Sequence, residues 1–325
     1  MYFPYLRGKQ FELKALREFS REHIDNNYVT PIIEAVNSNY GALNTAILDM
    51  FAYNMRFALI MNPPNGDFVH SNIVFNILAE DNKLHEKKDL WIAAYLYRDS
   101  PHELNNLVQN SPFNNIMIVF KDSVEFVDNN LLKAIVNDEK VSYIVFNDKS
   151  ISRRSKVFLK KLSKNLIGLT DCFNEKSRNS DYKENEDEFF SDMPFYYSSE
   201  ENLYGFSDYT ALSSKYSEGG MMPYAIAIHL TYKKDEDLIN IHHFVSDSDW
   251  SRADIRGKFM EAAQKVKEYY EHNNIPITDA VQDLINRVSD NEEKGYPGLG
   301  YLKKLSILNH LELIHKILVN NVNQQ

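Results

Sequence analysis

The sequence predicts an α/β protein, a (β/α)8 TIM-like barrel with a C-terminal extension of a β-hairpin and helices. Two observations lead to this fold class. Short β-branched and aromatic runs alternate with amphipathic stretches from residue 2 to about residue 212, and several runs, such as IMIVF and YIVF, are continuously apolar. Such runs are typical of strands that are buried on both faces of a parallel sheet, whose strands are joined by helical crossovers.

Eight candidate strands recur at intervals of roughly 25 to 35 residues in this region. They comprise residues 2–6, 29–36, 56–61, 90–97, 115–120, 142–146, 166–170 and 204–210. This number and spacing fit a closed barrel better than an open, doubly wound sheet. The first strand is not followed by a GxGxxG or GxxxxGKS/T motif, which disfavours a dinucleotide-binding or P-loop fold.

We expect two domains, a barrel over residues 1–220 and an extension over residues 221–325. Residues 174–203 interrupt the βα rhythm with an acidic stretch rich in aromatic residues, which we interpret as a loop or lid over the open face, or as a solvated excursion. In the extension, two alternating runs around a charged turn predict a hairpin within residues 224–249. Three helical stretches follow, at residues 257–273, 278–288 and 302–319.

Composition limits the classes of function. The 325 residues carry a net charge of -10, and the basic residues are scattered, so the chain lacks the basic surface of a nonspecific nucleic-acid coat. Cys172 is the single cysteine, which excludes an internal disulfide and a thiolate zinc cluster. The sequence shows no signal-peptide pattern and no apolar run near the ~18 residues of a membrane span. We therefore expect a cytoplasmic protein without a membrane partner.

Polar residues stand at the predicted C-terminal ends of nearly all barrel strands, where the βα loops of such barrels converge on the active site. A chain that leaves a buried strand must become polar, and Asp or Asn often caps the next helix, so a single position can also be purely structural. The strand ends are Arg7 with Lys9, Glu34, Asn62, Arg98, Lys121, Asn147, Asp171, and Asp208 with Tyr209.

Three of these residues are candidate catalytic carboxylates. Glu34 lies within the apolar run PIIEAV, where a buried charge is costly unless it is paired or functional, and the alternative is an ion pair with Arg7 or Lys9. Asp171 and Asp208 end the seventh and eighth predicted strands. With Glu34 they could form a cluster for a divalent cation or a general acid/base pair.

Several basic residues are candidate clamps for an anion, because their donors suit phosphate or carboxylate oxygens. They are Arg7, Lys9, Arg98, Lys121 and Arg178. A site that contains both carboxylates and cations suits a phosphorylated or nucleotide-like ligand.

The histidines of the extension are candidate acid/base or metal-binding groups. A hairpin loop centred on Asp235 and Glu236 would place His229 opposite His242, with His243 on the other face. His310 lies on the predicted last helix. The alternative for each histidine is a satisfied or solvent-facing side chain, since no HExxH-type spacing is present.

A set of short stretches covers nearly the whole chain: YFPYLRGKQFELKAL, PIIEAV, RNSDY, EFFSD, GFSDYTALSS, PYAIAIHL, IHHFVSDS and NHLELI. In combination, these stretches resemble the beta-protein family of bacteria and phages. The resemblance implies a barrel protein that acts in defence against phages, and it implies no particular catalytic residue.

Together these observations predict a barrel protein with an anion-binding open face that acts in bacterial anti-phage defence. As an enzyme, it would hydrolyse or transfer a phosphoester or nucleotide. The alternative is a non-catalytic sensor or scaffold, whose acidic aromatic segment and C-terminal helices bind a companion effector protein encoded nearby.

Overall fold

A computed structural model describes residues 1–24, 26–68, 84, 89–219, 222–289 and 296–323. The chain forms two compact units. The first comprises Met1–Asp171 with Phe195–Tyr209, and the second comprises Cys172–Pro194 with Thr210–Gln325. The division therefore differs from the expected single boundary after residue 220, because residues 172–194 group with the C-terminal part of the chain.

Numbered along the chain, the strands are β1 (Tyr5–Leu6), β2 (Ile32–Glu34), β3 (Phe57–Ile60), β4 (Trp91–Leu96), β5 (Ile116–Phe120), β6 (Val141–Asn147), β7 (Asn165–Leu169), β8 (Asp187–Ser191), β9 (Gly205–Ser207), β10 (Ala227–Asp235) and β11 (Leu238–Val245). The helices are α1 (Gln10–Glu22), α2 (Gly41–Ala52), α3 (Pro101–Gln109), α4 (Asn130–Asn137), α5 (Arg153–Leu159), α6 (Met193–Tyr196), α7 (Ile255–Asn273), α8 (Asp279–Ser289) and α9 (Leu299–Asn323). No described helix has both the length and the apolar character that a membrane crossing requires.

The first unit contains an eight-stranded parallel sheet in the order β1-β2-β3-β4-β5-β6-β7-β9. Its two ends approach each other, because the Phe3 N–H donates to the Phe206 carbonyl and the Tyr5 N–H donates to the Asp208 carbonyl, both at 2.8 Å. The sheet is thus nearly closed into a barrel. The predicted α/β barrel is confirmed, and all eight predicted strands overlap observed β structure.

The barrel interior is filled by every second residue of the strands, as the alternation of a strand requires. The buried cluster is formed by Phe3, Tyr5, Ile32, Ala58, Ile60, Ile92, Ala94, Leu96, Met117, Val119, Tyr143, Val145, Ile167, Leu169 and Tyr209. The next inward position on a strand is two residues further along. For Tyr5, Ile32 and Val119 these positions are Arg7, Glu34 and Lys121. These polar residues therefore follow the apolar core at the C-terminal ends of their strands.

Helices α3, α4 and α5 each begin at a capping side chain, and this fixes where the chain turns away from the preceding strand. The side chain of Ser100 accepts from the Glu103 N–H at 3.2 Å, and that of Asn129 accepts from the Leu132 N–H at 3.0 Å. Capping of this kind supplies a partner to N–H groups that the first helical turn leaves unpaired.

The second unit contains a three-stranded antiparallel sheet in the order β10-β11-β8, with helices α7 to α9. The hairpin and the three helices were predicted. The loop prediction for residues 174–203 is corrected at residues 187–191, which form strand β8. In this strand Phe189 is paired with Asn240, and Glu188 is paired with Ile241. The backbone of β8 thus hydrogen-bonds to an edge of the hairpin that would otherwise be unpaired.

The predicted hairpin register is wrong by one residue. His229 is paired with His243 and Leu230 with His242, because the turn lies at Glu236 and Asp237, one residue later than expected, and a bulge between Lys233 and Asp235 offsets part of this shift. An extra residue in one strand of a pair moves every later side chain to a different partner. The expected pair of His229 and His242 is therefore not formed.

Candidate functional site

The candidate site lies inside the first unit, at the C-terminal ends of strands β1, β2, β5 and β9. Five side chains form it, and we call them the mouth cluster: Tyr5, Arg7, Glu34, Lys121 and Tyr209. The active sites of barrels of this architecture are built at the same end of the strands.

Glu34 is fully buried, with 0% of its surface exposed. One carboxylate oxygen accepts from the Tyr5 hydroxyl at 2.6 Å, and the other accepts from the Asn65 side-chain amide at 2.7 Å. Both donors are neutral, and they take the place of the ion pair with Arg7 or Lys9 that was the alternative for this residue. Burial and the neighbouring carboxylate raise the pKa of Tyr5 well above its usual value, so its hydroxyl remains a donor.

The loop after β3 holds Asn65 in place through the next residue, Gly66. This glycine has φ +73°, and a Cβ there would lie 1.9 Å from the Val36 carbonyl oxygen. The Asp67 N–H also donates to the Val36 carbonyl at 3.0 Å. The loops after β2 and β3 are thus in direct backbone contact, which only glycine permits at position 66.

Lys121 packs its ammonium group on aromatic rings. The Nζ atom lies 4.7 Å from the centre of the Tyr5 ring and 5.8 Å from that of Tyr209. It makes no hydrogen bond or ion pair to any residue that the structure describes. Burial lowers the pKa of Lys121; the charge of Arg7 lowers it further, while the carboxylate of Glu34 opposes the change. Lys121 is thus a weakly solvated amine beside a second cation.

Arg7 is buried, with 6% of its surface exposed, and its guanidinium carbon lies 5.6 Å from the centre of the Tyr209 ring. Its backbone N–H donates to the Glu12 carboxylate at 2.5 Å. Burial raises the pKa of Glu12. Burial also raises the pKa of Tyr209, which therefore remains protonated, and Asp171 is close enough to contribute to this rise.

Asp208 is a correction to the predicted set of carboxylates. Its neighbour Tyr209 belongs to the interior, so the alternation turns Asp208 to the outer side of β9, where it accepts from the Tyr2 hydroxyl at 2.6 Å. Among the described residues, Glu34, Asp171 and Asp208 do not bring their oxygen atoms within the 4.8 Å of one another that a shared metal ion would need. Asp208 therefore lies outside the mouth cluster, in contact with Tyr2.

Only two of the five predicted anion-binding residues belong to the mouth cluster. Arg7 and Lys121 belong to the mouth cluster. Arg98 forms an ion pair with Glu103 of α3. Lys9 precedes α1 and is near Glu12. Arg178 is part of the second unit, where its backbone N–H donates to Asp181 at 3.0 Å.

A second cluster of polar residues lies within the second unit. The Nδ1 atoms of His229 and His243 are 2.7 Å apart, and Nε2 of His243 is 3.0 Å from the Glu188 carboxylate. The other oxygen of Glu188 accepts from the amides of Asn174 and Asn185 at 3.2 and 3.1 Å. The Glu188 carboxylate can only accept, so Nε2 of His243 donates to it, and Nδ1 of His243 accepts the hydrogen bond that Nδ1 of His229 donates. Nε2 of His229 then carries a lone pair.

Aromatic rings enclose this chain of hydrogen bonds. The ring of Tyr182 lies 4.7 Å from that of His229 and 4.5 Å from that of His243, and Phe173 lies 5.1 Å from His229. Burial lowers the pKa of both histidines, so the neutral pair just described is present near pH 7. We did not predict Glu188, because its acidic segment has the composition of a loop.

The two other candidate histidines pack against aromatic residues of the second unit. His242 stacks on Tyr269 with ring centres 4.0 Å apart, and burial lowers its pKa to about 4. His310 is fully buried, with Nδ1 2.9 Å from the Thr231 hydroxyl and its ring 5.1 Å from Phe190. These contacts fit the structural alternative given for both residues.

No protein-family model, curated protein or solved structure matches the chain. The resemblance to the beta-protein family therefore stays a prediction.

Proposed function

We propose that the barrel binds a small anionic molecule, with a phosphate or carboxylate group, at the mouth cluster. One observation carries the proposal: Arg7 and Lys121 approach the same Tyr209 ring, at 5.6 and 5.8 Å from its centre. Two cations at such a place repel each other, and the effect of Arg7 on the pKa of Lys121 reflects this. A bound anion would relieve the repulsion.

The surroundings strengthen such an interaction. Glu34 is the carboxylate of the cluster, and both of its oxygens accept from neutral groups, Tyr5 and Asn65, while the buried carboxylate of Glu12 also lies close to Arg7. The cations lie against aromatic rings and Arg7 is buried, and Coulomb attraction to a ligand is stronger in such surroundings than in bulk solvent. The guanidinium group of Arg7 also suits the paired oxygens of phosphate or carboxylate.

The enzymatic form of this proposal is hydrolysis or transfer at a phosphoester or nucleotide. In that reaction the hydrogen-bonded pair of Tyr5 and Glu34 would donate and accept the proton, while Arg7 would stabilise the charge of the phosphoryl group.

Binding of inorganic phosphate by isothermal titration calorimetry tests the proposal. We expect measurable binding by the natural protein and at least tenfold weaker binding by Arg7→Gln. Arg153→Gln, which changes an exposed arginine at the start of α5, is the matched control and should bind like the natural protein. Equal affinities in all three proteins, or no binding of phosphate, would refute the proposal.

A second candidate function, binding of a companion protein, is favoured by exposed aromatic residues of the second unit. Trp250 is 78% exposed and Tyr224 is 51% exposed. The Nζ atom of Lys258 donates to the carbonyls of Tyr224 and Ser251, so the two exposed segments are joined. Exposed aromatic side chains are common at protein interfaces. Loss of a co-purifying protein in Trp250→Ala, but not in Arg7→Gln, is the expected result.

The resemblance to the beta-protein family extends the first proposal to a role in defence against phages. Plaque counts on cells that express the natural protein or Arg7→Gln test this role. Protection that is lost in Arg7→Gln and kept in Arg153→Gln is expected, whereas equal plaque counts with and without the natural protein would contradict it.

A further inference from the structure

We propose that Lys121 acts as a nucleophile whose Nζ atom forms an imine with an aldehyde or ketone group of the anionic ligand. This inference rests on the proposed anion binding at the mouth cluster and names the ligand class, a carbonyl compound with a phosphate or carboxylate group.

The position of Lys121 supports this role. It follows Val119 on the inner side of β5, at the end of the barrel where ligands of this architecture bind. Its Nζ atom packs on Tyr5 and Tyr209 and makes no hydrogen bond or ion pair within the described part of the chain. A lysine with a purely structural role would be expected to contact a carboxylate or a carbonyl oxygen, as Lys156 contacts Asp148 at 2.7 Å.

The lowered pKa of Lys121 also supports a role as a nucleophile. An amine attacks a carbonyl only in its neutral form, and burial lowers the pKa of Lys121 despite the opposing charge of Glu34, with a further contribution from Arg7. The fraction of neutral amine near pH 7 rises about tenfold for each unit by which the pKa falls. Lys156, which is held by two carboxylates, has a raised pKa and offers a contrast within the same unit.

The neighbours of Lys121 can supply the proton transfers. The Nζ lone pair adds to the carbonyl carbon, and the carbonyl π electrons move to the oxygen, which takes up a proton. The resulting hydroxyl leaves as water with a second proton. One of these two protons comes from the amine, and the other comes from solvent through the Tyr209 hydroxyl, which takes a proton from water as it gives up its own. The iminium nitrogen keeps one N–H and one positive charge, so atoms and electrons balance without an oxidant.

Pyridoxal 5'-phosphate is a suitable probe, because it combines an aldehyde with a phosphate group. The full chain is mixed at pH 7 with less than one equivalent of the probe, reduced with borohydride and digested, and the modified lysines are located by mass spectrometry. We expect Lys121 to be modified at least about tenfold more than Lys149, an exposed lysine in the turn after β6. Lys121→Arg should lose this modification, and Lys149→Arg should keep it.

Two further experiments distinguish this inference from the proposed anion binding. Pyridoxal, which lacks the phosphate, should modify Lys121 more slowly, and Arg7→Gln should reduce the difference between the two probes. Modification spread over exposed lysines, together with phosphate binding by calorimetry, would overturn the role of Lys121 and leave anion binding intact. Equal modification of Lys121 by both probes would overturn the assignment of an anionic carbonyl ligand.

Discussion

The hydroxyl of Tyr5 donates a 2.6 Å hydrogen bond to the carboxylate of Glu34, and the two residues lie on neighbouring parallel strands of the barrel. Tyr5 is paired with Ile32 in the sheet. Its side chain therefore reaches Glu34, which is the next inward residue of β2 after Ile32. A buried carboxylate is costly unless donors surround it. This hydrogen bond therefore links the apolar interior of the barrel to the charged groups at its mouth.

Replacement of this donor should destabilise the fold. In Tyr5→Phe the buried carboxylate loses one of its two donors, and we expect the free energy of unfolding to fall by about 1–3 kcal/mol. Urea unfolding measures the change. Tyr97→Phe is the control, because the Tyr97 hydroxyl makes no hydrogen bond with a described residue. If both variants lost the same stability, the hydrogen bond to Glu34 would have no special role.

The carboxylates Glu34 and Asp208 should differ in their effect on anion binding. Glu34→Gln removes a negative charge beside Arg7 and Lys121, so we expect phosphate to bind more tightly by ~1 kcal/mol or more. Asp208→Asn affects the outer contact with Tyr2 and should lower stability without a change in phosphate affinity. Calorimetry and urea unfolding of both variants test this. A large change in phosphate affinity in Asp208→Asn would show that Asp208 contributes to the anion site.

The hydrogen bonds of the second unit fix the tautomers of two histidines. Because Glu188 accepts from Nε2 of His243, we expect His229 to be protonated on Nδ1 and bare on Nε2 at neutral pH. Nitrogen-15 NMR of the imidazole rings distinguishes the two forms. A proton on Nε2 of His229 would show that the chain of hydrogen bonds does not run in the direction that we infer.

His242 should make stability depend on pH. Burial lowers its pKa from 6.5 to about 4, so on acidification the unfolded chain takes up the proton first. The loss in the free energy of unfolding that His242 causes is close to zero well above pH 6.5 and increases as the pH falls. Near pH 4 it reaches about 3 kcal/mol. In His242→Phe, which keeps the stacking on Tyr269, the loss between pH 6.5 and 4 should be smaller. An unchanged pH profile would contradict this assignment.

The barrel and part of its site could be predicted because the signals are local. Each strand is a short apolar run, and the first polar inward residue after it is readable from the alternation. Arg7, Glu34 and Lys121 were predicted from their positions at the polar ends of these runs, and the alternation agrees with their inward orientation. The same alternation, counted from Tyr209, would have turned Asp208 away from the interior.

The histidine cluster could not be predicted because its geometry depends on distant pairing. The turn lies at Glu236 and Asp237 instead of Asp235 and Glu236, and a bulge near Lys234 then changes the register again. Glu188 contacts His243 from 55 residues away through a strand whose acidic sequence is typical of a loop. Pairing of this kind is set by tertiary contacts rather than by local preference.

The most direct test of anion binding is a crystal of the full chain soaked with tungstate, whose position is visible in anomalous difference maps. We predict a peak at the mouth of the barrel, with tungstate oxygens at about 3 Å from the guanidinium group of Arg7. Ordered tungstate that contacts exposed cations only, with none at Arg7 and Lys121, would contradict the account.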